Sequence, residues 1–241
     1  MNKSLTWLGI GLLVLANMIQ AYDVKKIRLR LMNFTSDEFY NVRITDTPQK
    51  EEDKEKLFFD GKLEDQGYIE LKDVNTRRLP LNIAVYEDGT EEPTELLIEN
   101  VRSEGIRVEP NDLWVLYRDD KGQLQITEVD KQNKDAKVHG KNIRLVNFTP
   151  NEFYTVQVTD SSNAETILYD GRLEDQTWAE LSTTSKMILP LQVKVWAGED
   201  EPTKLLIKDV IKDGIRVGRN DIWVIFAGKD GQLQITAVKK Q

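Results

Sequence analysis

The sequence predicts an all-β protein: two tandem β-sandwich modules behind a short export signal. Three observations carry this expectation. The chain repeats itself block by block, its apolar residues recur with a period of two, and a charged N-terminus precedes a short apolar run.

The N-terminal run comes first. Lys3 supplies the positive charge, residues 5–18 form an apolar core, and Ile19-Gln20-Ala21 ends in a small residue suited to cleavage. A membrane span needs about 20 apolar residues, and this stretch stops short of that. Residues 1–21 are therefore expected to be a cleaved signal peptide, leaving no transmembrane anchor. The chain has no cysteine, so its export does not depend on disulfides. That pattern favours a bacterial periplasm, with the extracellular space as second choice.

The repeat organises the remainder, and self-similarity is the first thing to seek in a chain of this length. Asn33-Phe34-Thr35 returns as Asn147-Phe148-Thr149, and Glu38-Phe39-Tyr40 as Glu152-Phe153-Tyr154. Asp60-Gly61-Lys62-Leu63-Glu64-Asp65-Gln66 matches Asp170-Gly171-Arg172-Leu173-Glu174-Asp175-Gln176. Gly105-Ile106-Arg107-Val108 and Asn111-Asp112-Leu113-Trp114-Val115 also recur in order. Module one is expected over residues 22–130, a polar Lys-rich linker over 131–140, and module two over 141–241.

Within each copy the period is that of a strand with one buried face. Ile27, Leu29 and Leu31 alternate with Arg28, Arg30 and Met32, and Tyr154, Val156 and Val158 with Thr155, Gln157 and Thr159. Turns are expected at Asp60-Gly61, Asp88-Gly89, Asp170-Gly171 and Asp230-Gly231. Several short strands in about 100 residues point to an immunoglobulin-like sandwich in each module.

Chemistry is sparse. The sole histidine, His139, lies in the linker, which leaves no triad and no ordinary zinc site. The adjacent acids Glu64-Asp65 and Glu174-Asp175 point to opposite faces of a strand and cannot converge on one bond. They read as polar residues after a hairpin turn. Asp60, Glu64 and Asp65 lack the ligand spacing of a calcium loop. Asn33 and Asn147 read as turn caps rather than glycosylation acceptors. No catalytic residue, metal or cofactor is expected. A net charge of −8 argues against nucleic acid.

The copies differ in two respects. Residues 22–130 carry a net charge of −10 and residues 141–241 a net charge of −1. The acidic first copy suits a basic partner or simply a well-solvated surface. Module two also has Trp178 and Trp196 where module one has Tyr68 and Tyr86. Alternation places both tryptophans on the face opposite the core, where they could stack on sugar rings or anchor a protein. The alternative is that they pack between the modules or under a loop. Trp114 and Trp223 lie in strands apolar on both faces and are expected in the core.

Arg144-Leu145-Val146-Asn147, the Asp-Gly turn, Leu189-Pro190-Leu191-Gln192-Val193 and Asp230-Gly231-Gln232-Leu233-Gln234 together carry a family resemblance. A signal peptide followed by two such modules resembles the periplasmic adaptor of alginate O-acetylation, the AlgF type. The resemblance implies a non-enzymatic protein that bridges envelope proteins, among them polysaccharide acetylation components. It transfers no catalytic residue. The alternative expectation is an exported module that binds a polysaccharide or a protein at the envelope.

Overall fold

The computed structural model describes residues 26–35, 39–46, 54–75, 81–86, 96–109, 111–119, 121–132, 143–149, 152–160, 166–181, 191–197, 204–218, 221–228 and 230–241. The expected signal peptide, nearly all of the linker with His139, and the Asp88-Gly89 turn lie outside these residues. Every element among them is a strand, and no helix there is long and apolar enough to cross a membrane. The chain is all-β, as the period of two requires.

The first copy supplies β1 (Lys26–Asn33), β2 (Tyr40–Asp46), β3 (Leu57–Leu63), β4 (Gly67–Asn75), β5 (Leu81–Tyr86), β6 (Leu96–Ile98), β7 (Leu113–Arg118) and β8 (Leu124–Lys131). The second supplies β9 (Arg144–Phe148), β10 (Tyr154–Asp160), β11 (Ile167–Leu173), β12 (Thr177–Glu180), β13 (Leu191–Trp196), β14 (Leu205–Ile207), β15 (Ile222–Ala227) and β16 (Leu233–Lys240). β8 thus continues through Lys131, the first residue of the expected linker.

Two four-stranded sheets belong to single copies, in the order β3-β2-β5-β6 and β11-β10-β13-β14. The other eight strands close one barrel, β1-β4-β16-β15-β9-β12-β8-β7, to which both copies contribute four. Two short parallel seams join the copies. Lys239 and Lys240 of β16 pair with Gly67 and Tyr68 of β4, and Asp130 and Lys131 of β8 pair with Thr177 and Trp178 of β12. Each copy therefore ends in a strand that edges the other.

Three apolar cores follow from this layering. Ile27, Leu29 and Leu31 of β1 pack with Val42, Ile83, Val85 and Trp114 between the first outer sheet and the barrel wall. Val156, Val193, Val195, Leu145 and Trp223 do the same in the second copy. The third core fills the barrel with Met32, Tyr68, Leu113, Val115, Val129, Val146, Trp178, Ile222, Val224 and Val238, five from each copy. Side chains fill an eight-stranded barrel of ordinary tilt. β7 and β15 wall two cores at once, so both their faces must be apolar. Trp114 and Trp223 are accordingly buried, each indole N–H donating to the carbonyl of Arg107 or Arg216.

Two expected turns fall elsewhere. Asp60-Gly61 and Asp170-Gly171 lie inside β3 and β11, opposite Arg43-Val42 and Gln157-Val156. The chain reverses instead at Glu64 and Glu174, where Gln66 and Gln176 adopt a left-handed φ of 50°. A Cβ at Gly61 would stand 3.4 Å from the Phe59 ring, an ordinary contact, so neither a turn nor crowding by that ring requires glycine there. The Asp230-Gly231 turn is as expected, with Gly231 at φ 75°.

Candidate functional site

Tyr68 and Trp178, expected on outward faces, are inside the barrel. Their relative exposures are 3% and 4%. They do point away from their own copy's core, as alternation requires, but that face is covered by the other copy. The alternative in which they pack between the modules is the observed one. At this level of the barrel Arg144 lies over the Trp178 ring at 4.4 Å and Arg30 over the Tyr68 ring at 5.9 Å. Arg144 Nη1 donates to the carbonyl of Asn111 in the other copy at 3.0 Å. Burial, and then the like charge of Arg30, push the Arg144 guanidinium below its ordinary range. Glu70 offsets this charge from Arg30 at 3.8 Å and Lys240 at 3.3 Å, the latter across a seam. The opposite end of the barrel is closed by rings: Phe34 meets Phe226 edge-on at 4.8 Å, and Tyr117 meets Phe148 at 5.3 Å.

The left-handed glutamines belong to the seams. The Gln66 carbonyl accepts from Lys239 N–H at 2.8 Å and the Gln176 carbonyl from Asp130 N–H at 2.9 Å. Their side-chain oxygens sit 3.0 Å from Thr236 Oγ1 and 3.3 Å from Thr127 Oγ1. Asn33 and Asn147 are fully buried and structural, each Nδ2 donating to the carbonyl of Leu63 or Leu173 at 3.1 Å. Thr35 and Thr149 complete the motif by donating to the Asn Oδ1.

Tyr86 and Trp196 are placed differently from Tyr68 and Trp178. Each ends a central strand of an outer sheet, half-buried, on the face away from the core. Tyr86 pairs across to Asn41 and Trp196 to Thr155. Around Tyr86 the first outer sheet carries a shallow depression of about 330 Å³, lined by Arg43, Glu55, Asn82, Leu97 and Glu99 among others. An aromatic ring beside amide, guanidinium and carboxylate groups can hold a ligand by its flat apolar side while hydrogen-bonding its edge. Next to Trp196 the equivalent face presents Gln157, Gln192, Lys194 and Leu206.

One group that sequence reasoning passed over is Arg107. Its guanidinium meets Glu128, Asp130 at 3.0 Å, Asp112 at 3.8 Å and Glu109 at 3.8 Å. Burial, assisted by the charge of Glu128, pushes the Asp112 carboxyl up to about 7. In the second copy Ala237 and Lys239 replace Glu128 and Asp130, and Arg216 keeps Asp221 at 3.0 Å. The repeated Gly-Ile-Arg-Val block was the available signal. No group of three or more His, Asp or Glu suited to a metal occurs among the described residues.

No protein-family model matches this chain, and no curated protein does. Among solved structures it is similar to one from Bacteroides ovatus described as a "putative adhesin". The two share 11% identity, with 90% of this chain and 94% of that one covered, at a TM-score of 0.20. At that score the likeness carries no argument about fold or function.

Proposed function

We propose that the chain is a non-catalytic adaptor of the bacterial envelope, of the alginate O-acetylation type, that binds through its two outer sheets. In this reading each copy is an immunoglobulin-like sandwich, and the barrel is the joint that holds the two sandwiches back to back. The observation that carries it is the pair Tyr86 and Trp196. The same aromatic position faces outward in both copies, on sheets that do not take part in the joint.

Two faces on one rigid body suit a bridging role, since each can engage a partner without blocking the other. Their polar residues differ, so the partners are two different ones: an acetylation component on one side, a polysaccharide or second envelope protein on the other. Tyr86→Ala and Trp196→Ala test this, singly and together, against the chain's envelope partners and against alginate chains. An interface anchor costs about 2 kcal/mol when truncated, so each variant should bind its own partner roughly thirtyfold more weakly. Unchanged affinity for every partner in the double variant would remove the outer faces from the function.

A further inference from the structure

One edge strand of each outer sheet is the same strand with inverted charge. β6 lies in Glu95-Leu96-Leu97-Ile98-Glu99, and β14 lies in Lys204-Leu205-Leu206-Ile207-Lys208. The central leucine of each is turned outward, Leu97 at 55% exposure and Leu206 at 45%, while Ile98 and Ile207 are buried in the two cores. Glu99, Lys204 and Lys208 are exposed. One strand inward Leu97 stands beside the neutral Ala84 and Leu206 beside Lys194, which adds a further cation to the second strip. Among the described residues each strand is paired on one side only. An edge strand with one exposed leucine and flanking charges is a short docking strip for another strand.

We infer that the β6 strip of one chain docks on the β14 strip of another, so that the protein associates head to tail. Leucine meets leucine and carboxylates meet ammonium groups. In an antiparallel arrangement Glu99 lies opposite Lys204, and in a parallel one opposite Lys208; both pairings are favourable. The two strips are different surfaces of one molecule, so the contact is heterologous, and a string of chains forms rather than a closed pair. The net charges of −10 and −1 repel at long range. At physiological ionic strength, however, the Debye length is about 8 Å, so the charges in contact decide the outcome. Three residues on each side make the contact weak and salt-sensitive.

The inference rests on the outer sheets being the binding faces, and its test uses the protein alone. In sedimentation velocity at low salt the mature chain should grow in sedimentation coefficient with concentration and revert to monomer in 1 M NaCl, where the Debye length falls to about 3 Å. One variant carries Glu95→Lys and Glu99→Lys; another carries Lys204→Glu and Lys208→Glu. Each alone should stay monomeric, because both of its strips then have one sign. Mixed together, they should associate again. Circular dichroism of each variant checks that it is folded. A wild type that stays monomeric at low salt overturns the inference, as does association of either variant alone. If self-association fails while Tyr86→Ala and Trp196→Ala still weaken partner binding, the adaptor reading stands without it; the reverse result removes the adaptor reading instead.

Discussion

Trp178 and Trp196 occupy the same kind of position. Each replaces a tyrosine of the first copy, and each stands on the strand face opposite its own copy's core. Yet Trp178 is sealed in the barrel, with arginines and the other copy's valines around it, while Trp196 is only partly buried on an outer sheet. Strand alternation fixes which side of a sheet a residue takes. Whether that side is wet depends on what lies across from it, and across the inner sheet lies the second copy. The comparison separates a joint from a surface.

The largest effect that can break this comparison belongs to Trp178. Truncating a buried aromatic costs about 3–5 kcal/mol through lost transfer energy and the cavity left behind. Trp178→Ala should therefore shift the urea midpoint sharply, and Arg144, stacked on the ring, should lose its cover. The same joint governs cleavage. If the segment between Gln132 and Ile143 is cut, the halves should still migrate as one particle in the wild type, since both seams and the barrel core survive. They should separate in Trp178→Ala. Halves that separate readily in the wild type would mean that the barrel core does not bind the copies together.

A smaller effect distinguishes the copies at the barrel wall. Arg107 balances Glu128, Asp130 and Asp112, whereas Arg216 serves Asp221. Arg107→Gln leaves buried carboxylates without their cation, at about 1–2 kcal/mol near pH 8, the lower part of the usual range because the guanidinium is a third exposed. Arg216→Gln should cost less. The pH dependence has a definite sign. Asp112 titrates near 7 in the fold against 3.8 unfolded, so the folded state holds the proton more tightly. That contribution is fully present below about pH 4 and is lost as pH rises through 7. Denaturation at pH 5, 6.5 and 8 should show the deficit of Arg107→Gln narrowing toward pH 5. A deficit independent of pH would place the effect in packing alone.

The all-β class, the repeat and the burial of Trp114 and Trp223 were legible because each depends on local periodicity. The structural role of Asn33 and Asn147 was legible from their duplication. The barrel was not read from the sequence, although two signals pointed to it. Leu113-Trp114-Val115-Leu116 and Ile222-Trp223-Val224-Ile225 are apolar on both faces, which a strand needs only when it walls two cores. Met32 also stood among the supposedly outward residues of β1. The Asp60-Gly61 and Asp170-Gly171 expectations failed for a different reason. An Asp-Gly pair inside a strand has the same one-letter signature as an Asp-Gly turn, and the left-handed residues are instead Gln66 and Gln176.

The smallest effect on stability is expected at Trp196. Its ring lies on an outer sheet whose apolar core is made by Leu191, Val193 and Val195 on the other side, all three fully buried. Trp196→Ala removes a partly buried ring, whereas substitutions at fully exposed surface positions usually fall within about 0.5 kcal/mol. A somewhat larger loss, about 1 kcal/mol, is reasonable for so big a ring with partial burial. The measurement pairs the urea midpoint with partner affinity on the same variant, beside Tyr86→Ala as its counterpart in the first copy. Stability within about 1 kcal/mol of wild type together with a loss of binding assigns the ring to recognition. A loss matching that of Trp178→Ala, with affinity unchanged in the molecules that remain folded, would make both tryptophans packing residues and dissolve the distinction between joint and surface.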